Sequence, residues 1–379
     1  MADSARRELI DQARMIVVKV GTNVLTGNDG RLAPDRLQSL ADQIQRLRAG
    51  GRQVVLVSSG AIGAGMGRLG LAERPTDLPH LQACAAIGQN FLMRAYQECL
   101  ETHGVTAAQI LLTAGDFDSR GRYLNVRNTI LTLFEWNVLP IINENDTVSV
   151  AEIRFGDNDH LAAMVTNLLR AQLLVLLTNV DGLYDGDPRD ANAKRLDTVP
   201  VIDGDVMDLA GASKSTLGTG GMRSKLRAAR LATAAGESVI MANGSIPGVL
   251  DAIFAGESVG TLFLAHGSSM PSWKRWLGYT ARPKGLILVD AGARQAVQTK
   301  GKSLLAIGVV RVQGEFEKGD VVALCDLDGL EFARGLTNYP STDIAKILGL
   351  RTEQIADVLG DVAYEEIVHR DNLAVTDHV

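Results

Sequence analysis

Val54-Val-Leu-Val-Ser-Ser-Gly-Ala-Ile-Gly-Ala-Gly-Met-Gly67 runs four aliphatic residues into two hydroxyls and then a glycine-rich turn. Aliphatic side chains on both faces mark a strand buried from both sides, as in a parallel sheet covered by helices. The glycines beyond it free backbone N–H groups to seat a carboxylate or phosphate. Close helix–strand packing uses glycines in the same way, and the Ser58 and Ser59 hydroxyls at the strand end favour a site. Met15–Val20, Val138–Ile142 and Leu173–Leu177 have the same two-sided apolar character. Helical patterns lie between these runs, at Pro34 to Ala49, Leu81 to Leu100, Leu161 to Leu169 and Met222 to Ala235. The alternation predicts an α/β fold with a mostly parallel sheet between helices.

Past Gly267 the composition changes. Residues 267–284 hold Pro271, Pro283, Gly267 and Gly278 and read as a linker, so residues 1–266 are expected to form the first domain. Short runs then follow at Leu286–Val289, Leu304–Val312, Val321–Leu324 and Glu331–Leu336, with turn signals between them. They predict a small β-rich module over 285–370.

The 379 residues carry 38 basic and 44 acidic side chains, a formal charge of −6, which argues against a nucleic-acid binder held by bulk charge. Three cysteines are too few and too scattered for a disulfide framework or a zinc site. No run approaches the ~20 apolar residues of a membrane span, and the N-terminal residues lead into no apolar signal core. A cytoplasmic protein without membrane association is expected.

Two familiar signatures fail on context. Gly65-Met-Gly-Arg-Leu-Gly70 begins several residues after its strand, with no acidic residue about 20 positions on to hold a ribose. Gly301-Lys-Ser303 has Ala296 where a phosphate loop needs its first glycine. The histidines lack metal spacing, and no set of metal ligands is assigned.

Other segments point to a site. Lys19, inside a two-sided apolar strand that ends in Gly21-Thr-Asn, is costly there unless it pairs or meets a ligand; a strand-end lysine that snorkels to water is the alternative. Pro140-Ile-Ile-Asn-Glu-Asn-Asp146 and Arg154-Phe-Gly-Asp-Asn-Asp159 bring five carboxylates against one arginine between Glu144 and Asp159. Such a cluster suits a substrate ammonium, a magnesium ion or paired lysines, although helix capping explains one member. Leu173-Leu-Val-Leu-Leu-Thr-Asn-Val-Asp-Gly182 ends its strand in polar residues that fit a structural turn equally well. Leu217-Gly-Thr-Gly-Gly-Met-Arg-Ser-Lys225 is sharper, because its glycines lead into a helix whose first turn holds Lys225, where backbone N–H groups and the dipole favour anions.

This ordered set resembles the amino acid kinase superfamily, and within it the glutamate 5-kinase family, over nearly the whole chain. The matching pieces are Val17-Val-Lys-Val-Gly-Thr22, Val57-Ser-Ser-Gly-Ala-Ile62, Ile142-Asn-Glu-Asn-Asp146, Gly156-Asp-Asn-Asp159 and Gly218-Thr-Gly-Gly-Met222 with Lys225. The resemblance implies a three-layer αβα sandwich followed by a PUA-like barrel. The implied reaction is phosphorylation of the L-glutamate γ-carboxylate by ATP with Mg²⁺, the first step of proline synthesis. Proline is implied as feedback inhibitor, and a homo-oligomer, dimer or tetramer, is the expected assembly. Carried over by residue, Lys19, Lys225 and Asp159 are catalytic, with Asp159 orienting the two lysines. Ser59, Asp146 and Asn158 hold glutamate. Lys19, Thr178, Asn179 and the run Thr219, Gly220, Gly221, Met222, Arg223, Ser224 and Lys225 line the ATP site. Two departures stand out, Asn179 where the family often has Asp and Asn23 where serine is more usual.

The implied alternatives are a sister kinase acting on acetylglutamate, aspartate or carbamate, and an RNA-binding PUA protein. Against the second, Gly285 to Gly360 holds eight Lys/Arg and ten Asp/Glu, a net of 8 − 10 = −2.

Overall fold

The computed structural model describes residues 2–27, 31–149, 158–190, 192–210, 221–265, 272–360 and 364–376. The chain divides into two compact units, Met1–Ser268 and Ser269–Val379.

The first unit is built on eight strands: β1 Met15–Val20, β2 Gln53–Ser58, β3 Ala107–Leu112, β4 Leu139–Glu144, β5 Leu173–Thr178, β6 Thr198–Val199, β7 Ser238–Asn243 and β8 Thr261–Phe263. Their order is β3-β4-β2-β1-β5-β7-β8-β6. All neighbours pair in parallel except β7 and β8. The four apolar runs of the sequence became β1, β2, β4 and β5 at the centre of this sheet. After β1 the chain adds β2, then β3 at the edge, and comes back to place β4 between them. It then returns to β5, on the other side of β1, and continues to β7. The order therefore reverses at β1, and in open α/β sheets ligands gather at the carboxyl ends of the strands flanking such a point.

Strand alternation divides the sheet residues between two helical layers. Ile16, Val18, Val20, Leu56, Val175 and Ile240 share one buried core with the helices Pro34–Ala49, Leu78–Glu101 and Val249–Phe254. The helices Asn158–Leu169, Met222–Ala234 and Arg120–Glu135 form the layer that includes Asp159 and Lys225. Lys19 departs from the Ile16, Val18, Val20 alternation and meets this second layer.

The helices Ala61–Leu69 and Leu78–Glu101 cross at backbone contact. A Cβ on Gly88 would stand 1.7 Å from the Ala61 carbonyl oxygen, and one on Gly65 would stand 1.9 Å from that of Cys84. Gly65 is thus a packing glycine, and Gly70 ends its helix in the left-handed region at φ 69°. The failed dinucleotide signature is a helix crossing followed by a cap.

The second unit holds β9 Gly285–Val289, β10 Val309–Gln313, β11 Val321–Cys325, β12 Glu331–Leu336 and β13 Leu373–Val375 in a mixed sheet ordered β10-β9-β11-β12-β13. Its sequence reading needs two corrections. Leu304–Val312 is not one strand: Leu304 bridges Val368, a short 3₁₀ turn covers Ala306–Gly308, and β10 begins at Val309. Within 267–284, the described residues 276–280 form a buried π-helical turn against β12 and β13. No helix among the described residues is long and apolar enough to cross a membrane.

Candidate active site

Lys19 lies near the carboxyl end of β1, beside Val57 of β2 and Leu176 of β5. It is only 5% exposed. Burying an ammonium costs several kcal/mol unless a counter-charge meets it, and here Asp159 does. Lys19 Nζ stands 2.7 Å from Asp159 Oδ1, while Lys225 Nζ donates to Asp159 Oδ2 at 2.9 Å. Burial pushes the Asp159 pKa up, but the two ammonium groups outweigh it and hold the carboxyl below its ordinary value. Two cations thus meet on one anion at the carboxyl end of β1. The choice between paired lysines and a snorkelling strand-end lysine is thereby decided for Lys19.

Lys225 reaches this point from the first turn of the helix Met222–Ala234, whose N-cap is Gly221. Met222, Arg223 and Ser224 complete that turn, and Ser224 Oγ donates to the Gly221 carbonyl at 2.9 Å. The Ser224 N–H also donates to the Gly221 carbonyl at 3.2 Å, and the Met222 and Arg223 N–H groups ahead of it suit an anion. Thr178 is buried at the end of β5 and Asn179 is exposed just beyond it; Thr178 Oγ1 donates to Asn179 Oδ1 at 3.3 Å. Thr219 and Gly220 lie outside the described residues.

On the opposite side of β1, Asn158 joins the ends of β2 and β4. Its Nδ2 donates to Ser59 Oγ at 2.9 Å, to the Ser58 carbonyl at 3.2 Å and to Asn143 Oδ1 at 2.8 Å. Ser58 Oγ is 2.8 Å from the hydroxyl of Tyr96, whose pKa burial pushes up. Asn143 Nδ2 donates to Gln89 Oε1 at 2.8 Å. Asp146 follows β4, half-buried and two residues past its end. Of the acidic loop, Glu152 and Asp157 lie outside the described residues, as does Arg154.

The predicted residues therefore separate by strand. Ser59, Asp146 and Asn158 lie with β2 and β4, and Thr178, Asn179 and the glycine-loop helix lie with β5 and β7. Lys19, Asp159 and Lys225 stand at the divide. Gln89, Asn143 and Tyr96 had not been assigned to the site. Asn143 at least sits inside a quoted motif, whereas Gln89 and Tyr96 lie mid-helix with no local signature. Among the described residues no three His, Cys, Asp or Glu side chains stand together as a metal cage.

The model of the amino acid kinase family matches residues 14–243, and that of the PUA domain matches residues 285–359. A glutamate 5-kinase from Geobacter sulfurreducens is 49% identical over 371 residues, covering 98% of this chain and 100% of that protein. Another, from Desulfotalea psychrophila, is 48% identical over 372 residues, covering 98% of this chain and 99% of that protein. Identity of this order along nearly the full length of both proteins places the chain in the amino acid kinase family, within its glutamate 5-kinase branch, with a PUA domain at the C-terminal side.

Proposed function

We propose that the chain transfers the γ-phosphoryl group of ATP to the γ-carboxylate of L-glutamate. The observation that carries this reading is the convergence of Lys19 and Lys225 on Asp159 at the divide between the two residue sets.

The chemistry asks little more. A glutamate side chain, with an ordinary pKa of about 4.3, is already ionised at neutral pH and needs no general base. One carboxylate oxygen bonds to the γ-phosphorus as the bond to the bridging oxygen breaks, and ADP leaves with that electron pair. What the protein supplies is alignment and neutralisation of charge on the transferring group. Asp159 holds both ammonium groups in place, and the incoming phosphates complete their coordination. The first-turn N–H groups beside Gly221, together with Thr178 and Asn179, take the nucleotide. Ser59 and Asn158 hold the substrate carboxylate and ammonium, with Asp146 as the counter-charge to the ammonium. Mg²⁺ would arrive on the ATP phosphates.

The finer parts of the reading rest on the family resemblance: proline as end-product inhibitor, a homo-oligomeric assembly and a cytoplasmic setting, which the free thiols of Cys84, Cys99 and Cys325 suit.

The test is ADP release in the presence of L-glutamate, aspartate, acetylglutamate or carbamate, with hydroxylamine added to trap an acyl phosphate. Glutamate-dependent ADP release with a γ-glutamyl hydroxamate is expected. Turnover that favours another acceptor would assign the chain to a sister reaction.

A further inference from the structure

The helix Leu78–Glu101 contributes an amide to the glutamate side of the site that the proposed mechanism does not use. Gln89 Oε1 accepts from Asn143 Nδ2 at 2.8 Å, yet Gln89 Nε2 is buried without a hydrogen-bond partner among the described residues. A buried amide that forgoes its donor bonds gives up roughly 1–3 kcal/mol and calls for a reason.

The reason lies in the direction of the hydrogen-bond chain. Asn143 is 3% exposed, so water does not substitute for a lost partner. Its nitrogen is taken by Gln89, while its oxygen accepts from Asn158 Nδ2 at 2.8 Å and from the Glu144 N–H at 2.9 Å. Turning the Gln89 amide over would set Nε2 against Nδ2, donor against donor. With Asn143 so fixed, Asn158 must offer its nitrogen inward, where its two N–H groups are shared among Asn143 Oδ1, Ser59 Oγ and the Ser58 carbonyl. Two consequences follow at the site. Asn158 is left with its oxygen as the acceptor for a ligand, and Ser59, whose oxygen accepts, keeps its O–H to donate.

We propose that Gln89 is a positioning residue: through Asn143 it sets the polarity of Asn158 and Ser59, so that one presents an acceptor to the substrate ammonium and the other a donor to its carboxylate. This rests on the reading that Ser59 and Asn158 hold glutamate. Close approach of the two helices at Gly65 and Gly88 is what brings Gln89 within reach of β4.

The experiment compares Gln89→Met, which matches the side chain's size and removes the acceptor, with Gln89→Glu, which keeps an acceptor toward Asn143 and puts an oxygen in place of the unpaired nitrogen. Ser59→Ala is the reference. Steady-state constants are measured for glutamate and ATP, with a melting curve for each variant. In Gln89→Met the glutamate KM should rise tenfold or more while the ATP KM stays within twofold. Gln89→Glu should recover most of that loss. If Ser59→Ala raises the glutamate KM but Gln89→Met does not, the positioning role is overturned while the glutamate reading stands. Equal rises in both KM values, or equal defects in Met and Glu variants, would likewise overturn it as a general loss of structure. A wild-type glutamate KM in Ser59→Ala would overturn the glutamate reading and the positioning role with it.

Discussion

Lys19 and Lys225 reach the two oxygens of one buried carboxylate, Lys19 from a central strand and Lys225 from the first turn of a helix. Neither ammonium would be stable there alone. Their shared partner, Asp159, is 1% exposed and itself depends on both. The three charges form one buried unit that ties the strand to the helix.

Removing the carboxylate should expose that dependence. Asp159→Asn takes from two buried ammonium groups the carboxylate they share, a change worth about 3–5 kcal/mol of stability. The melting temperature is expected to fall by several degrees. Because ATP phosphates supply the missing negative charge, the upward shift produced by ATP with Mg²⁺ should be larger in the variant than in the parent. A variant that melts like the parent with an unchanged ATP shift would contradict the charge unit.

The same carboxylate gives a pH signature. Its folded pKa is lowered, so its contribution to stability is fully present above the unfolded value of about 3.9 and is lost as pH falls through the folded value. Urea midpoints of the parent should therefore decline with acid below about pH 4, and Asp159→Asn should show a shallower decline over that interval. Identical slopes would show that Asp159 does not titrate with unfolding.

In the proposed reading Asp146, just past β4, pairs with the substrate ammonium. Asp146→Asn should raise the glutamate KM by about 30-fold or more, corresponding to roughly 2 kcal/mol or above, with little change for ATP. Equal effects on both constants would instead make Asp146 a structural residue.

The centre of the sheet was legible in the sequence for a physical reason. β1, β2, β4 and β5 are covered on both faces, so each reads as a largely aliphatic run, interrupted by Lys19 in β1 and Pro140 in β4. β3, Ala-Ala-Gln-Ile-Leu-Leu, lies at the sheet edge and is half-exposed, which leaves no clean period to read. Lys19 and Lys225 announced themselves because a charge in an apolar strand and a lysine after three glycines need explaining. Gln89 did not, since one glutamine in an amphipathic helix is unremarkable until the fold sets it against Asn143. The stretch 276–280 misled because glycines and prolines around it suggest a connection, while Trp276, Leu277 and Tyr279 are buried in the structure.

Gly88 tests the helix crossing. In Gly88→Ala the new methyl would meet the Ala61 carbonyl oxygen at 1.7 Å, a backbone atom that cannot rotate away. A loss of about 1–3 kcal/mol is expected from overpacking, with a rise in glutamate KM as Gln89 is displaced. Unchanged stability would mean that the two helices separate without cost.

The division of the chain can be tested by truncation. Every predicted site residue precedes Ser268, so a chain ending there should melt cooperatively and retain glutamate phosphorylation. One ending at Thr280 keeps Trp276, Leu277 and Tyr279 but loses β12 and β13 against which that turn packs, and should aggregate. A folded but inactive 1–268 chain would show that the second unit belongs to the catalytic apparatus.

Glutamate-dependent kcat in Lys19→Ala and Lys225→Ala tests the central relationship most directly. If both ammonium groups neutralise charge on the transferring phosphoryl group, each substitution lowers kcat by roughly 10²-fold or more in protein that still melts cooperatively. Near-parental kcat in both folded variants would contradict it.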